Sequence, residues 1–247
     1  MKISYPESRY LSGDYLHHNP SWDMEDSPWK AKKIINILET EKITPNSICD
    51  IGCGAGGVLA ELRKKYAHAQ LFGFDISPDA TRFWPQHANS NITFQVGDIF
   101  QLNNRKYGII LLLDVLEHVP DPHSFLIKCK EISKNLLLHF PLDLNAINVL
   151  RERPILKARR NVGHIHYFTK NIALSLLKEC GLKVVAWKYS GAGFNGPHRS
   201  LKTIFASIPR QLVYALNKDI GVKLLGGETL FVLAKNKVAD LMDTPKS

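Results

Sequence analysis

Cysteine is scarce in this chain, and the few cysteines present do not pair. Cys49 and Cys53 stand C-x3-C, while Cys129 and Cys180 lie alone. No second Cys or His pair at zinc-site spacing completes a structural centre, so all four read as free thiols of a reducing compartment. Long apolar runs are missing too. None reaches the roughly 18 to 20 residues of a membrane span. The N-terminus, Met1 to Ser8, has no apolar run behind its charge, so no secretory signal is expected and the expected location is cytoplasmic. Acidic residues are the minority charge. Against 32 Lys and Arg there are 23 Asp and Glu, a net charge of +9. That excess suits nucleic acid, an anionic membrane surface or an anionic substrate, and equally a merely basic surface. Internal repeats are absent. What remains, 45% hydrophobic and 22% charged over 247 residues, is the composition of one large globular domain with a sizeable core.

The hydrophobic pattern alternates between strand and helix. Strands are expected at 47–51, 70–75, 91–96, 107–113, 134–140, 182–189 and 228–235, and helices near 57–66, 78–87, 121–131 and 170–180. Such alternation predicts a Rossmann-like α/β fold, a mostly parallel sheet with helices on both faces. A polar, aromatic arm over 1–26 precedes the main domain at 27–240, and a tail follows at 241–247. Ser27-Pro28 predicts an N-cap and first turn for a helix running to about Glu39. Two stretches interrupt the alternation and read as cap-like insertions. One is 141–163, with a basic run from Arg151 to Arg160; the other is 190–227, with an apolar-basic segment from Leu201 to Leu216.

The richest stretch is Ile48-Cys-Asp-Ile-Gly-Cys-Gly-Ala-Gly-Gly57, a short apolar strand that runs into a glycine loop ahead of a helix. An open α/β sheet binds nucleotide-like ligands at such a place. Gly52-x-Gly54-x-x-Gly57 also satisfies a dinucleotide fingerprint, so the loop alone does not select the ligand. Asp50 argues against pyrophosphate, which it would repel, and for a ligand with a cationic part. Asp75, at the end of the second strand, suits the hydroxyls of a ribose. Asp98, at the end of the third, suits an adenine amino group or a turn.

These residues resemble the motifs of the class I S-adenosylmethionine-dependent methyltransferases, in particular the small-molecule and glycan type (methyltransferase type 11/12-like). Asp50-Ile-Gly-Cys-Gly-Ala-Gly56 is similar to their first motif, Asp75 to their ribose acid, and Asp98-Ile99 to their adenine-contacting pair. Leu113-Asp114-Val115-Leu116-Glu117-His118-Val119-Pro120-Asp121 is similar to their fourth-strand motif. The resemblance spans about residues 30 to 235. It implies a seven-stranded sheet with an antiparallel last strand, and S-adenosyl-L-methionine as cofactor. The contacts it implies are Asp50, Gly52, Cys53, Gly54, Gly56, Asp75, Ile76, Asp98, Ile99 and Asp114.

Methyl transfer demands little of the protein beyond positioning and, where needed, a base. His118, just past the fourth strand, is a candidate base or a packing residue, with Glu117 beside it to orient it. His164 and His166 lie in Gly163-His-Ile-His-Tyr-Phe-Thr169. In an extended segment both face the same way and could approach the acceptor together, or serve structural hydrogen bonds. No metal set is expected; a divalent ion at Asp114, Glu117 and His118 is conceivable, but the spacing is not diagnostic. The basic run could clamp an anionic acceptor or form a solvated face. Leu201–Leu216 could cap the site, touch lipid or pack on the body.

The expected activity is therefore methylation of a small molecule or glycan, most simply on oxygen. An RNA-directed enzyme is the alternative suggested by charge. Yet the fourth strand lacks an Asn/Asp-Pro-Pro-aromatic box, and no cysteine sits beside proline. A nicotinamide-dependent oxidoreductase would explain the glycine loop and Asp75 only. A protein that binds the cofactor purely as a signal is a further alternative.

Overall fold

The structure is a computed structural model that describes residues 8–87, 92–102, 105–192 and 210–237. Residues 1–7 of the arm, the 193–209 part of the second insertion and the 241–247 tail lie outside the described residues.

Seven strands form one sheet: β1 (Ser47–Ile51), β2 (Gln70–Asp75), β3 (Ile92–Val96), β4 (Ile109–Leu113), β5 (Asn135–Pro141), β6 (Leu182–Tyr189) and β7 (Thr229–Asn236). Their order is β3-β2-β1-β4-β5-β7-β6. Strands β1 to β5 pair in parallel, and β7 runs antiparallel between β5 and β6. This is the Rossmann-like seven-stranded sheet expected. Strand order reverses between β1 and β4, which opens a crevice at their C-terminal ends.

Every residue of β4 is buried because both faces of the sheet are covered. On one face Cys49, Ile51, Ile110, Leu112, Leu136 and Leu138 pack with Leu126 and Cys129 of α6 (Pro122–Ile132) and Leu176 and Leu177 of α9 (Lys170–Glu179). On the other, Ile48, Leu111, Leu113, Leu137 and Leu233 meet Ile34 and Leu38 of α3 (Ser27–Thr40) and Leu59 and Leu62 of α4 (Gly57–Lys65). Adjacent strand residues serve opposite layers, as the period of two requires. All four cysteines are buried free thiols whose pKa burial pushes up, which keeps them unreactive.

Several local expectations change. Residues 78–87 form not a helix but two 3-10 turns, Pro78–Arg82 and Trp84–Gln86. Pro85 removes a helical donor there, and Trp84 is held in place because its Nε1–H donates to the Gly54 carbonyl at 2.8 Å. Ser27 is the first residue of α3 rather than its cap. The arm is ordered into α1 (Ser8–Leu11), α2 (Asp14–His18) and a 3-10 turn at Met24–Asp26. After β3 comes the short α5 (Ile99–Leu102), and the first insertion folds as α7 (Ala146–Arg151) and α8 (Arg153–Asn161). Thr169 caps α9 as expected, accepting from Ile172 N–H. The last described helix is α10 (Lys218–Leu225). Among the described residues no helix is long and apolar enough to cross a membrane.

Candidate active site

A cavity of about 920 Å³ opens at the C-terminal ends of β1, β2, β4 and β5. That is the upper end of the range for ligand pockets, roughly 300 to 1,000 Å³. The glycine loop forms its floor. Gly52 and Cys53 both donate to the Phe74 carbonyl, at 2.7 and 3.0 Å, which ties the loop to β2. Gly52 has φ +75, and a Cβ there would come within 2.8 Å of Val115. Gly54 has φ +51, and its missing Cβ makes room for the Trp22 ring, which would otherwise be 2.7 Å away.

The three sequence-identified acids lie along this floor. Asp50 is 2% exposed, and its Oδ1 has no hydrogen-bond partner. Burial, with Asp75 nearby, pushes its carboxyl up to about 8 despite the opposing pull of Lys30. A buried carboxylate oxygen facing a cavity without a partner fits a ligand that brings an ammonium. Asp75 accepts from Gly54 N–H and Ser77 N–H, both at 2.8 Å, so its orientation is set before any ligand arrives. Burial raises its pKa as well. Asp98 accepts from Phe100 N–H at 3.0 Å at the start of α5. Beside these acids Ile76, 38% exposed, offers an apolar face to the cavity, and Cys53, Gly56 and Ile99 complete the lining. The donor set therefore fits S-adenosyl-L-methionine: a carboxylate for the amino group, an oriented acid for the ribose and an apolar wall for the base.

Asp114 is placed differently from a simple cofactor contact. It adopts φ 55 at the end of β4, and both oxygens are engaged. Lys30 Nζ lies 2.9 Å from Oδ2, and His139 Nδ1 lies 2.8 Å from Oδ1. Burial opposes its charge, yet His139 and Lys30 together hold the carboxyl well below the usual carboxylate range. His139 Nε2 is 2.6 Å from Thr229 Oγ1, which links the site to β7. Asp114 thus faces the cavity as the hub of a fixed polar cluster.

Past β4 a second cluster forms. Glu117 is fully buried and neither of its oxygens has a hydrogen-bond partner. Burial, reinforced by Asp114 and Asp143, pushes its pKa well above the ordinary value. His118 Nδ1–H donates to the Gly163 carbonyl at 3.1 Å, and His164 Nδ1–H to Asp143 Oδ2 at 2.8 Å. Both Nε2 atoms point away from those bonds, and each lies 4.0 Å from Glu117 Oε1. Burial, with His164 next, lowers the His118 pKa to about 4, so its ring is neutral at pH 7. One ligand atom from each of Glu117, His118 and His164 falls within 4.8 Å of the others. The set shares Glu117 and His118 with the triad conceivable from spacing, but replaces Asp114, whose oxygens are taken, by His164.

His166 does not share this face. Its Nε2–H donates to the Val119 carbonyl at 2.9 Å, and it does not line the cavity. The segment is not extended there. Ile165 N–H and His166 N–H both donate to the Glu117 carbonyl, which wraps the chain and turns His166 away from His164.

Several lining residues carried no readable role in the sequence. Tyr10, Tyr15 and Trp22 of the arm form a row with ring centroids 5.1 and 5.2 Å apart. Tyr10 meets His118 edge-on at 5.9 Å, and its carbonyl accepts from Ser77 Oγ–H at 2.7 Å. This row roofs the cavity from the glycine loop to the histidines. Lys30 gave no local signal. His139 did sit at the C-terminal end of a strand, a position that could have marked it.

Comparison with known proteins agrees with this fold. A methyltransferase-domain family matches residues 25–186. The chain therefore belongs to that family, and fold and cradle together define a class I S-adenosylmethionine-dependent methyltransferase. Among curated relatives, a ubiquinone biosynthesis O-methyltransferase of Glaesserella parasuis serovar 5 is 36% identical over 141 residues, 50% of this chain and 58% of that one. Norajmaline N-methyltransferase of Rauvolfia serpentina is 28% identical over 136 residues, 47% of this chain and 46% of the relative. The chain spans about half the length of the curated relatives it matches. Among solved structures, the plantazolicin methyltransferase BpumL in complex with SAH aligns with a TM-score of 0.62 at 18% identity, covering 94% of this chain and 95% of that one.

Proposed function

We propose that this protein transfers the methyl group of S-adenosylmethionine to a hydroxyl oxygen of a small organic or glycan acceptor. The observation that carries this reading is the pair of imidazoles of His118 and His164 that line the same cavity, each held through Nδ1 so that Nε2 is left for an acceptor. When bound, the cofactor supplies an electrophilic methyl group. Attack by a hydroxyl requires loss of its proton, whereas a neutral amine can attack unaided. Two oriented imidazoles at one end of the cavity, that of His118 neutral at pH 7, therefore favour oxygen. Either Nε2 can take the acceptor proton, while Gly163 and Asp143 fix the two tautomers. The aromatic roof of Tyr10, Tyr15 and Trp22 excludes water from the path. The O-methyltransferase names among the relatives support the same acceptor atom, and the N-methyltransferase name supports its competitor.

A second reading rests on the same three side chains. Glu117, His118 and His164 form a donor set suited to a divalent cation, with both Nδ1–H groups held by acceptors as metal-ligating histidines usually are. Such an ion would lower the pKa of an acceptor hydroxyl, and the imidazoles would then act as ligands and not as bases.

Labelled-methyl transfer to matched panels of phenols, sugar hydroxyls and amines tests the proposal. Label in hydroxyl compounds, abolished in a His118→Ala/His164→Ala double variant, is expected. Label confined to amines, or full turnover by the double variant, would sink it. Treatment with a chelator separates the readings, because only the cation route loses activity and regains it with added Mn²⁺ or Zn²⁺. Methylation of tRNA alone would instead restore the nucleic-acid alternative.

A further inference from the structure

Between β5 and the cavity the chain makes a detour that the reaction does not use. It runs through α7 and α8 and re-enters the site at Val162, the C-cap of α8, which lines the cavity. Helix α8 has no buried residue. Arg153, Lys157 and Arg160 recur at i, i+4 and i+7 on one side of it, with Leu156, 45% exposed, among them. At the end of α7 Leu150 is 86% exposed, next to Arg151. Among the described residues none of these four cations is ion-paired.

We infer that α7 and α8 dock this protein on an anionic lipid bilayer, with the cavity mouth held at the membrane surface. The chemistry of the face selects this occupant. A polyanion such as RNA would satisfy the cations but leave Leu150 and Leu156 in water. An apolar protein groove would accept the leucines but leave the cations unmatched. A bilayer interface offers both partners, phosphates for Arg151, Arg153, Lys157 and Arg160, and the headgroup–acyl boundary for the two leucines. The helix is short, about 13 Å at 1.5 Å per residue, so it lies along the surface and does not enter the bilayer. Because α8 leads into Val162 and His164, docking sets the entrance where an amphiphilic acceptor would partition. The inference does not depend on which acceptor atom is methylated, nor on turnover.

Flotation of the full chain with vesicles tests it, using phosphatidylcholine alone and phosphatidylcholine mixed with phosphatidylglycerol. Binding to the mixed vesicles and not to the neutral ones is expected. The Arg153→Gln/Lys157→Gln/Arg160→Gln variant should bind the mixed vesicles roughly 100-fold more weakly, from the contribution of each cation near an anionic surface. Its affinity for S-adenosylhomocysteine should be unchanged, which shows that it is folded. Leu150→Trp should shift its emission to the blue on mixed vesicles only, since the ring would leave water. Equal binding to both vesicle types would overturn the inference, as would no binding to either. So would a triple variant that loses tRNA binding but retains vesicle binding, which would make α8 a nucleic-acid face.

Discussion

Replacing Asp50 by asparagine is expected to flatten the pH dependence of stability and to destroy cofactor binding. Burial holds the Asp50 carboxyl at about 8 in the unliganded protein, whereas an aspartate in the unfolded chain titrates near 4. Between those values the folded state keeps a proton that the unfolded state has lost. The contribution is complete below pH 4 and is lost as pH rises towards 8, at about 1.4 kcal/mol per pH unit. Summed from pH 5 to pH 8, this group costs the unliganded protein about 3.5 kcal/mol. Asparagine carries no such proton, so the variant should lack this slope and gain on the wild type as pH rises.

Binding carries the opposite requirement, because a ligand ammonium needs the carboxylate. At pH 7 about one Asp50 in ten is ionised, so binding of S-adenosylhomocysteine should release close to one proton. Its affinity should rise roughly 25-fold from pH 6 to pH 8, and fall again above pH 8 as the ligand amine loses its own charge. The variant leaves that ammonium unpaired in a desolvated site, a loss of about 3 kcal/mol or more. Calorimetric titration in two buffers of different ionisation enthalpy counts the proton, and thermal unfolding from pH 5 to pH 8 reads the stability. Wild-type affinity and stability that stay level over this range would refute the argument, as would an asparagine variant that binds like the wild type.

Three further outcomes follow from the same geometry. Asparagine tolerates the φ of 55 at position 114, so Asp114→Asn isolates the charge; stranding the partly buried Lys30 should cost about 3 kcal/mol in urea unfolding at pH 7. Since Asp114 titrates below the ordinary range when folded, its stabilisation is present above pH 4 and is lost on acidification, so the two unfolding curves should converge in acid. Trp22→Ala removes the ring over Gly54 and should weaken S-adenosylhomocysteine about tenfold, mainly through faster dissociation in stopped-flow; an unchanged dissociation rate would show that the arm is no roof. His118→Ala should cut turnover about 100-fold or more, and the His118 limb of the wild-type pH–rate curve should lie near 4; a limb near 6.5 that vanishes in this variant would contradict a buried, neutral base.

That the glycine loop and the three acids share one cavity was legible because these parts are local. Asp50, Gly52, Gly54 and Gly56 are contiguous backbone at the end of one strand, and Asp75 and Asp98 end the next two strands in the sheet. The helix expected at 78–87 was less legible, because periodicity does not register the effect of Pro85 within a turn. The pair His164 and His166 was misread for a different reason. Alternation holds only for an extended chain, and here two backbone N–H groups fold around the Glu117 carbonyl instead. Asp114 was recognised as a site residue, but its partners Lys30 and His139 come from α3 and β5 and share no sequence pattern with it.

By itself, then, the sequence determined the sheet, the glycine loop and the kind of cofactor, since those depend on short-range hydrophobic period and glycine backbone freedom. Tertiary structure alone decided which histidines line the cavity, which carboxylate oxygens remain without a hydrogen-bond partner, and which aromatic residues of the arm line it. Those outcomes depend on burial and on hydrogen bonds between residues far apart in the chain, and neither burial nor a distant partner is written in any local spacing.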